Sequence, residues 1–195
     1  MSQIAFRRAT EADALEVARE TFLADERVDL NALAERLGVS RSTLHRWVHT
    51  REHLLDQVLG QLTDDFFAEG LVRAREHPDD AIAELARTLI GATSGFPPLR
   101  GFVAREPELA LQLLLGDHGA VRRRAEAGVR ALIDDLYPDE AEQLAGFTEV
   151  LVQVALTLEW ATIVAGDEPD AERIAQIARA LLAGARSGEL PASGR

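Results

Sequence analysis

The chain has 195 residues and no cysteine. That excludes a disulfide framework, a thiol nucleophile and any cysteine-ligated zinc or iron–sulfur site. Lysine is also absent, so all 21 basic residues are arginine. No long hydrophobic run is present: the most apolar stretch, Val150 to Leu158, contains Gln153 and is flanked by Glu149 and Glu159. Taken alone it is far shorter than the roughly 20 residues a bilayer span needs. The first residues, Met1 to Arg8, lack the apolar core of a signal peptide, so the expectation is a cytoplasmic protein with no membrane partner. Alternating apolar and polar residues bounded by turns, the mark of strands, do not occur either.

Catalytic groupings are missing as well. The acid pairs Asp64-Asp65 and Asp134-Asp135 are adjacent on expected helices and point apart. Gly91-Ala92-Thr93-Ser94-Gly95 is not a Gly-x-Ser-x-Gly elbow, and no strand precedes it. His45, His49 and His53 have metal-like spacing, but Thr50 should break the helix between them. The expectation is a non-enzyme without cofactor or metal.

Hydrophobic residues make up 47% and charged residues 28%, which is a globular composition. The net charge of −12 argues at first against nucleic acid, but it is unevenly spread. Residues 1–51 hold eight arginines and eight acids, whereas the rest holds 13 arginines and 25 acids. A neutral head on an acidic body is compatible with DNA binding through the head.

Alanine, leucine, glutamate and arginine dominate, and all favour helix. The chain therefore reads as all-α. Thr10 and Asp13 form a capping-box pattern for a first helix over Glu11–Ala24. Asp29 caps a second, to Leu37, with Leu30, Leu33, Ala34 and Leu37 on one face. Gly38 ends it, and Ser40 caps a third over Arg41–Val48. Thr50 caps a fourth, from Arg51 to about Phe67 or beyond. Further helices are expected over Asp79–Ala92, Pro107–Leu115, Ala120–Leu136, Pro138–Ala165 and Pro169–Ala185. A short turn near Leu99–Ala104 is also expected, with a flexible tail over 188–195.

The segment Asp29 to His49 carries the functional signal. Two short helices meet at the tight turn Leu37-Gly38-Val39-Ser40. Ala34 is small where they cross, and Val39 and Leu44 can plug the angle between them. This is helix-turn-helix spacing; an ordinary helical hairpin is the plainer reading. Leu44 and Val48 turn inward, while Arg41, Ser42, His45, Arg46 and His49 fall on the opposite face. Arginine, hydroxyl and imidazole groups on one face suit a major groove.

The segment from Leu37 through Trp47 to Leu55 resembles the TetR family of transcriptional regulators. The match covers roughly residues 10 to 60. The family usually has glycine at Ser42, tyrosine at His45, phenylalanine at Val48 and lysine at Arg51, and often tyrosine or histidine at Trp47. The resemblance implies a three-helix DNA-binding head over 1–50 and a helical ligand-binding and dimerisation body of about six helices over 51–187. It implies DNA contacts from Arg41, Ser42, Thr43, His45, Arg46, Trp47, His49 and Arg51. It also implies a homodimer on a double-stranded DNA operator, acting as a repressor released by a small-molecule effector. Gly101 to Ala110, followed by Val121-Arg122-Arg123-Arg124, resembles the QsdR-type branch, which controls degradation of lactone quorum signals. That implies a lactone or related acyl effector.

In the body, Phe66, Phe102, Phe147 and Trp160 are either core or pocket residues. Gln153, Thr157 and Glu159 interrupt an apolar helix, so each must face solvent, a subunit or a cavity. The expected ligand-contacting set is Phe66, Phe102, Phe147, Gln153, Thr157 and Trp160. Arg122-Arg123-Arg124 reads as a salt-bridged surface. Ile174, Ile177, Ala178 and Leu181 form a stripe suited to a four-helix dimer interface built with the preceding helix. The alternative function is a helical small-molecule carrier whose helix-turn-helix does not bind DNA.

Overall fold

The computed structural model describes residues 9–188, and no strand occurs among them. The expected tail lies outside the described residues except for Gly188. The order is α1 (Glu11–Leu23), α2 (Leu30–Leu37), α3 (Arg41–Val48), α4 (Arg51–Glu76), α5 (Ala81–Ser94), α6 (Pro97–Arg105), α7 (Pro107–Leu115), α8 (Ala120–Leu136), α9 (Ala145–Val164) and α10 (Ala171–Arg186). Single 3-10 turns at Pro78–Asp80 and Pro138–Glu140 precede α5 and the approach to α9.

The head forms as its caps dictate. Thr10 and Asp13 bond reciprocally at the start of α1. The Asp29 carboxylate accepts from the amides of Asn31 and Ala32, and Gly38 ends α2 with φ of 65°. Ser40 and Thr50 accept the third amide of α3 and α4 respectively. Ala14, Ala18 and Phe22 of α1 pack with Leu33, Ala34, Leu44 and Val48 in one core. Leu54, Leu55, Val58 and Leu59 of α4 belong to the same core, as do Phe102 and Leu113 of α6 and α7. The head thus has no closed core of its own: the expected boundary at residue 50 runs through continuous packing.

A second core joins the far half of α4, at Phe67 and Ala74, to α5, α8, α9 and α10. α4 is the shared wall of both cores, and its 26 residues extend well past Phe67. Gly128 lets α8 approach it closely, since a Cβ there would lie 2.1 Å from the Phe67 ring. Asp56 of α4 accepts from the Ala120 amide at 2.7 Å and so caps α8 across the fold.

Three expectations change. α6 is a nine-residue helix rather than a single turn, started by Pro97 and Pro98 in its first two positions. The Pro138–Ala165 segment does not form one helix; a 3-10 turn and a loop occupy residues 138–144 before α9. Half of the stripe on α10 faces inward: Ile174 and Ala178 are buried within the subunit, in one cluster with Ile82, Leu85 and Ala86 of α5, while Ile177 and Leu181 are half-buried. That part of the stripe is already satisfied and is not free for a partner subunit.

α9 is the most apolar element. Its 20 residues, with a mean hydropathy of 1.4, match the length and composition of a bilayer span, unlike the Val150–Leu158 run alone. Two observations favour an ordinary packed helix. Its inner face holds Phe147, Leu151 and Val152 in the second core, and it carries a buried acid, Glu159. Its outer face leaves Leu158 and Val164 exposed.

Candidate functional site

The outward face of α3 is cationic. Arg41, Ser42, His45, Arg46 and His49 are exposed, and Thr43 and Trp47 are half-buried. Thr43 serves the N-terminus of the helix, its hydroxyl 2.9 Å from Ser40 Oγ. Trp47 packs on the first core. Arg19, Arg27 and Arg36 of the head all pair with carboxylates. Arg41 and Arg46 form no ion pair with any described residue. Two uncommitted guanidinium groups on the exposed face of a capped helix can meet phosphates or guanine edges. His49 closes α3 with φ of 56° and stacks edge-on to His53, ring centroids 5.7 Å apart. His45 does not join them in a metal site: no cluster of three potential ligands exists among the described residues.

Arg51 is placed differently from expectation. Its Nη1 and Nη2 donate to the two Glu106 carboxylate oxygens at 2.8 and 2.6 Å, and its Nε donates to the Val28 carbonyl at 2.6 Å. With all three guanidinium nitrogens hydrogen-bonded and its side chain 14% exposed, it is a clamp between head and body rather than an available phosphate contact. Arg27 adds to the clamp at 3.5 Å from Glu106, and these arginines hold the Glu106 carboxyl below its ordinary pKa. Nearby, Asp25 of the α1–α2 loop pairs with Arg105 at 2.7 Å, and Phe22 meets Phe102 edge-on at 5.7 Å. The end of α6 therefore grips the head.

The other end of α6 reaches an internal cavity. This cavity has about 90 Å³ of free space and is walled by α4, α5, α6, α7, α8 and α9. Leu59, Leu62 and Phe66 of α4, Leu89 of α5, Leu99 of α6 and Trp160 of α9 are representative of its lining. Thr63, Thr93, Glu159 and the Trp160 indole bring the polar groups. Glu159 is 3% exposed and contacts the Thr93 hydroxyl through Oε1. Burial away from any cation raises its pKa to about 8. The Trp160 indole N–H is buried without a partner among the described residues.

Of the expected ligand-contacting residues, the cavity brings together only Phe66 and Trp160. Phe102 lies in the first core toward the head, and Phe147 in the second. Gln153 and Thr157 sit on the exposed outer face of α9, where Gln153 bonds to Arg122. The seven-residue spacing of Gln153 and Trp160 does repeat a helix face, but they stand about 10 Å apart along the axis. At Trp160 that face is covered by the first core, and at Gln153 it is open. Glu159 was recognisable as an out-of-place acid; Thr63 and Thr93 carry no signal separating them from other helical threonines. Arg122, Arg123 and Arg124 are paired along the surface, with Glu126, Asp56 and Asp64 among their partners.

The family described as "Tetracyclin repressor-like, C-terminal domain" matches residues 79–183, just over half of the chain. Among solved structures, the chain is similar to the TetR-family transcriptional repressor QsdR of R. erythropolis. That likeness has 24% identity and a TM-score of 0.79, covering 95% of this chain and 97% of that one. It is also similar to AlkX, a TetR-family repressor from a Dietzia species implicated in biodegradation of n-alkanes. Here the identity is 21% and the TM-score 0.64, covering 92% of this chain and 96% of that one. At these identities the two structures bear on fold alone. No curated protein matches the chain.

Proposed function

The chain belongs to the tetracycline-repressor-like (TetR) family, and from that premise we propose that it is a cytoplasmic repressor that binds a double-stranded DNA operator as a homodimer and is released by a small, largely apolar effector. The observation that carries this reading is the pair of uncommitted arginines on the exposed face of α3. Arg41 and Arg46, with Ser42, His45 and His49, form the DNA-contacting surface, and Thr43 and Trp47 support it from the rim. The open face of α9, with Leu158 and Val164 exposed, suits the subunit contact. Two heads then occupy successive major grooves about 34–36 Å apart.

The effector site is the cavity. Small-molecule pockets usually enclose about 300–1,000 Å³, so 90 Å³ is too little for a typical effector. Occupation must part the walls. α4 and α6 are both walls of the cavity and both anchored to the head, α4 through Arg51 to the Val28 carbonyl and α6 through Arg105 to Asp25. Widening the cavity therefore moves the head. A coupling of about 1–3 kcal/mol lowers operator affinity about 5- to 150-fold. The resemblance to the QsdR branch favours a lactone or related acyl effector and a place in quorum signalling.

Fluorescence anisotropy tests the reading, using DNA from upstream of the protein's own gene against scrambled DNA at two salt concentrations. Specific binding that weakens steeply with salt and falls in Arg46→Ala supports it. If neither this DNA nor a selection from random sequences yields specific binding, the regulator reading fails and the carrier reading replaces it.

A further inference from the structure

The hydrogen inventory around Glu159 says which chemistry the cavity accepts. Thr93 has one hydroxyl hydrogen. Its Oγ1 lies 2.8 Å from the Leu89 carbonyl oxygen and 3.4 Å from that of Ile90, both of which can only accept. The same Oγ1 is in hydrogen-bond contact with Glu159 Oε1. With the hydroxyl hydrogen directed to the i−4 carbonyl of Leu89, the usual back-bond of a helical threonine, the contact with Glu159 needs a proton from the carboxyl. Glu159 is then a neutral acid that donates through Oε1, and Oε2 is its carbonyl oxygen. Oε2 makes no hydrogen bond with any described residue, although Glu159 lines the cavity and is 3% exposed.

The absence of any cation beside it among the described residues supports the same state. The arginines that flank Thr93 in sequence, Arg87 and Arg100, are engaged elsewhere with Glu84, Glu172 and Glu168. An ionised carboxylate with no cation in an apolar cavity carries a large desolvation penalty, and protonation removes it. The cavity thus offers one carbonyl-type acceptor in an apolar wall. The Trp160 ring lines the same cavity, and its indole N–H lacks an acceptor among the described residues.

We propose that the cavity binds an uncharged, mostly apolar molecule carrying an N–H or O–H donor that pairs with Glu159 Oε2, so that among acyl compounds it selects amides over the corresponding esters and lactones. A carboxylate anion is excluded, because it would face the Glu159 oxygen with like polarity and bring an uncompensated charge. This inference rests on the reading of the cavity as the effector site, and within the lactone and related acyl class named above it favours the amide members over simple lactones.

The test is a ligand-detected NMR titration of the full chain with γ-valerolactam and γ-valerolactone, which differ only in a ring N–H against a ring oxygen. Pentanoate serves as the anionic probe. The lactam should bind roughly tenfold more tightly than the lactone, and pentanoate should bind most weakly. In Glu159→Gln the preference should persist, since the amide can donate to Thr93 and still accept from the ligand. In Glu159→Leu, checked for folding by its thermal transition, the two rings should bind alike. Equal binding of lactam and lactone to the native chain overturns the proposal but leaves the effector cavity standing. A preference that survives in Glu159→Leu, or tightest binding by pentanoate, also overturns it. If none of the probes binds, the cavity reading itself fails and takes the proposal with it.

Discussion

Replacing Glu159 by glutamine should change how stability depends on pH. Burial holds the carboxyl near a pKa of about 8, against an ordinary value of 4.5. The unfolded chain releases this proton near its ordinary value. Between the two values the folded state binds more protons than the unfolded state, so the unfolding free energy falls as pH rises. At roughly 1.4 kcal/mol per pH unit, ionisation stabilises the unfolded chain by about 3 kcal/mol at pH 7, a gain the still-protonated folded chain does not share. Glu159→Gln removes the titration and keeps the volume. Its stability should exceed that of the native chain by up to about 3 kcal/mol at pH 7, with the advantage shrinking to nothing as pH falls toward 4.5. For a chain of this size that is about 6–12 °C in the melting temperature. Urea unfolding followed by circular dichroism, at one protein concentration and from pH 5 to 8, measures the difference. Other titrating groups are common to both proteins and cancel. Parallel profiles would refute the reasoning, because they would mean that Glu159 ionises alike in the folded and unfolded chains.

Glu106 should behave with the opposite sign. Arg51 and Arg27 hold its carboxyl below the ordinary range, so its stabilisation is present above the ordinary carboxylate pKa and lost as pH falls below it. Glu106→Ala should cost about 1–3 kcal/mol, since it strands a mostly buried guanidinium; a loss under about 0.5 kcal/mol in urea unfolding would disprove the clamp. Arg46→Ala should flatten the dependence of operator affinity on salt by about two units of log–log slope, one for each subunit of the dimer, whereas Arg51→Ala should lower stability and leave that slope unchanged; equal slopes in the two variants would contradict this division of roles. Gly128→Ala should destabilise by about 1–3 kcal/mol, because a methyl group cannot fit beside the Phe67 ring without parting α4 and α8. An unchanged thermal transition would show that those helices part freely.

Local rules make the head legible in the sequence. A cap acts within a few residues of itself, so Thr10, Asp29, Gly38, Ser40 and Thr50 announced helix ends that the structure places where they were expected. Leu44 and Val48 point inward and Arg41 and Arg46 outward because an eight-residue helix has one inner face, and periodicity alone divides it. The start of α9 was harder to see. Pro138 signals a helix start, but it begins only a 3-10 turn, and α9 itself opens without a side-chain cap.

What the sequence by itself determined is the all-helical class, the helix-turn-helix and which of its residues face outward. Tertiary structure alone decided the partners. Arg51 carries the same charge as Arg46 and lies five residues away, yet Glu106, 55 residues further along the chain, engages it. Gln153 and Thr157 share α9 with Glu159, and only the packing of α5 against α9 sets the acid beside Thr93 in the wall of the cavity. The α10 stripe is apolar whether a partner subunit or α5 covers it, and here α5 covers much of it. Helical periodicity says which way a side chain leaves its helix. What it then meets depends on contacts between distant segments, which follow from how all the helices pack together.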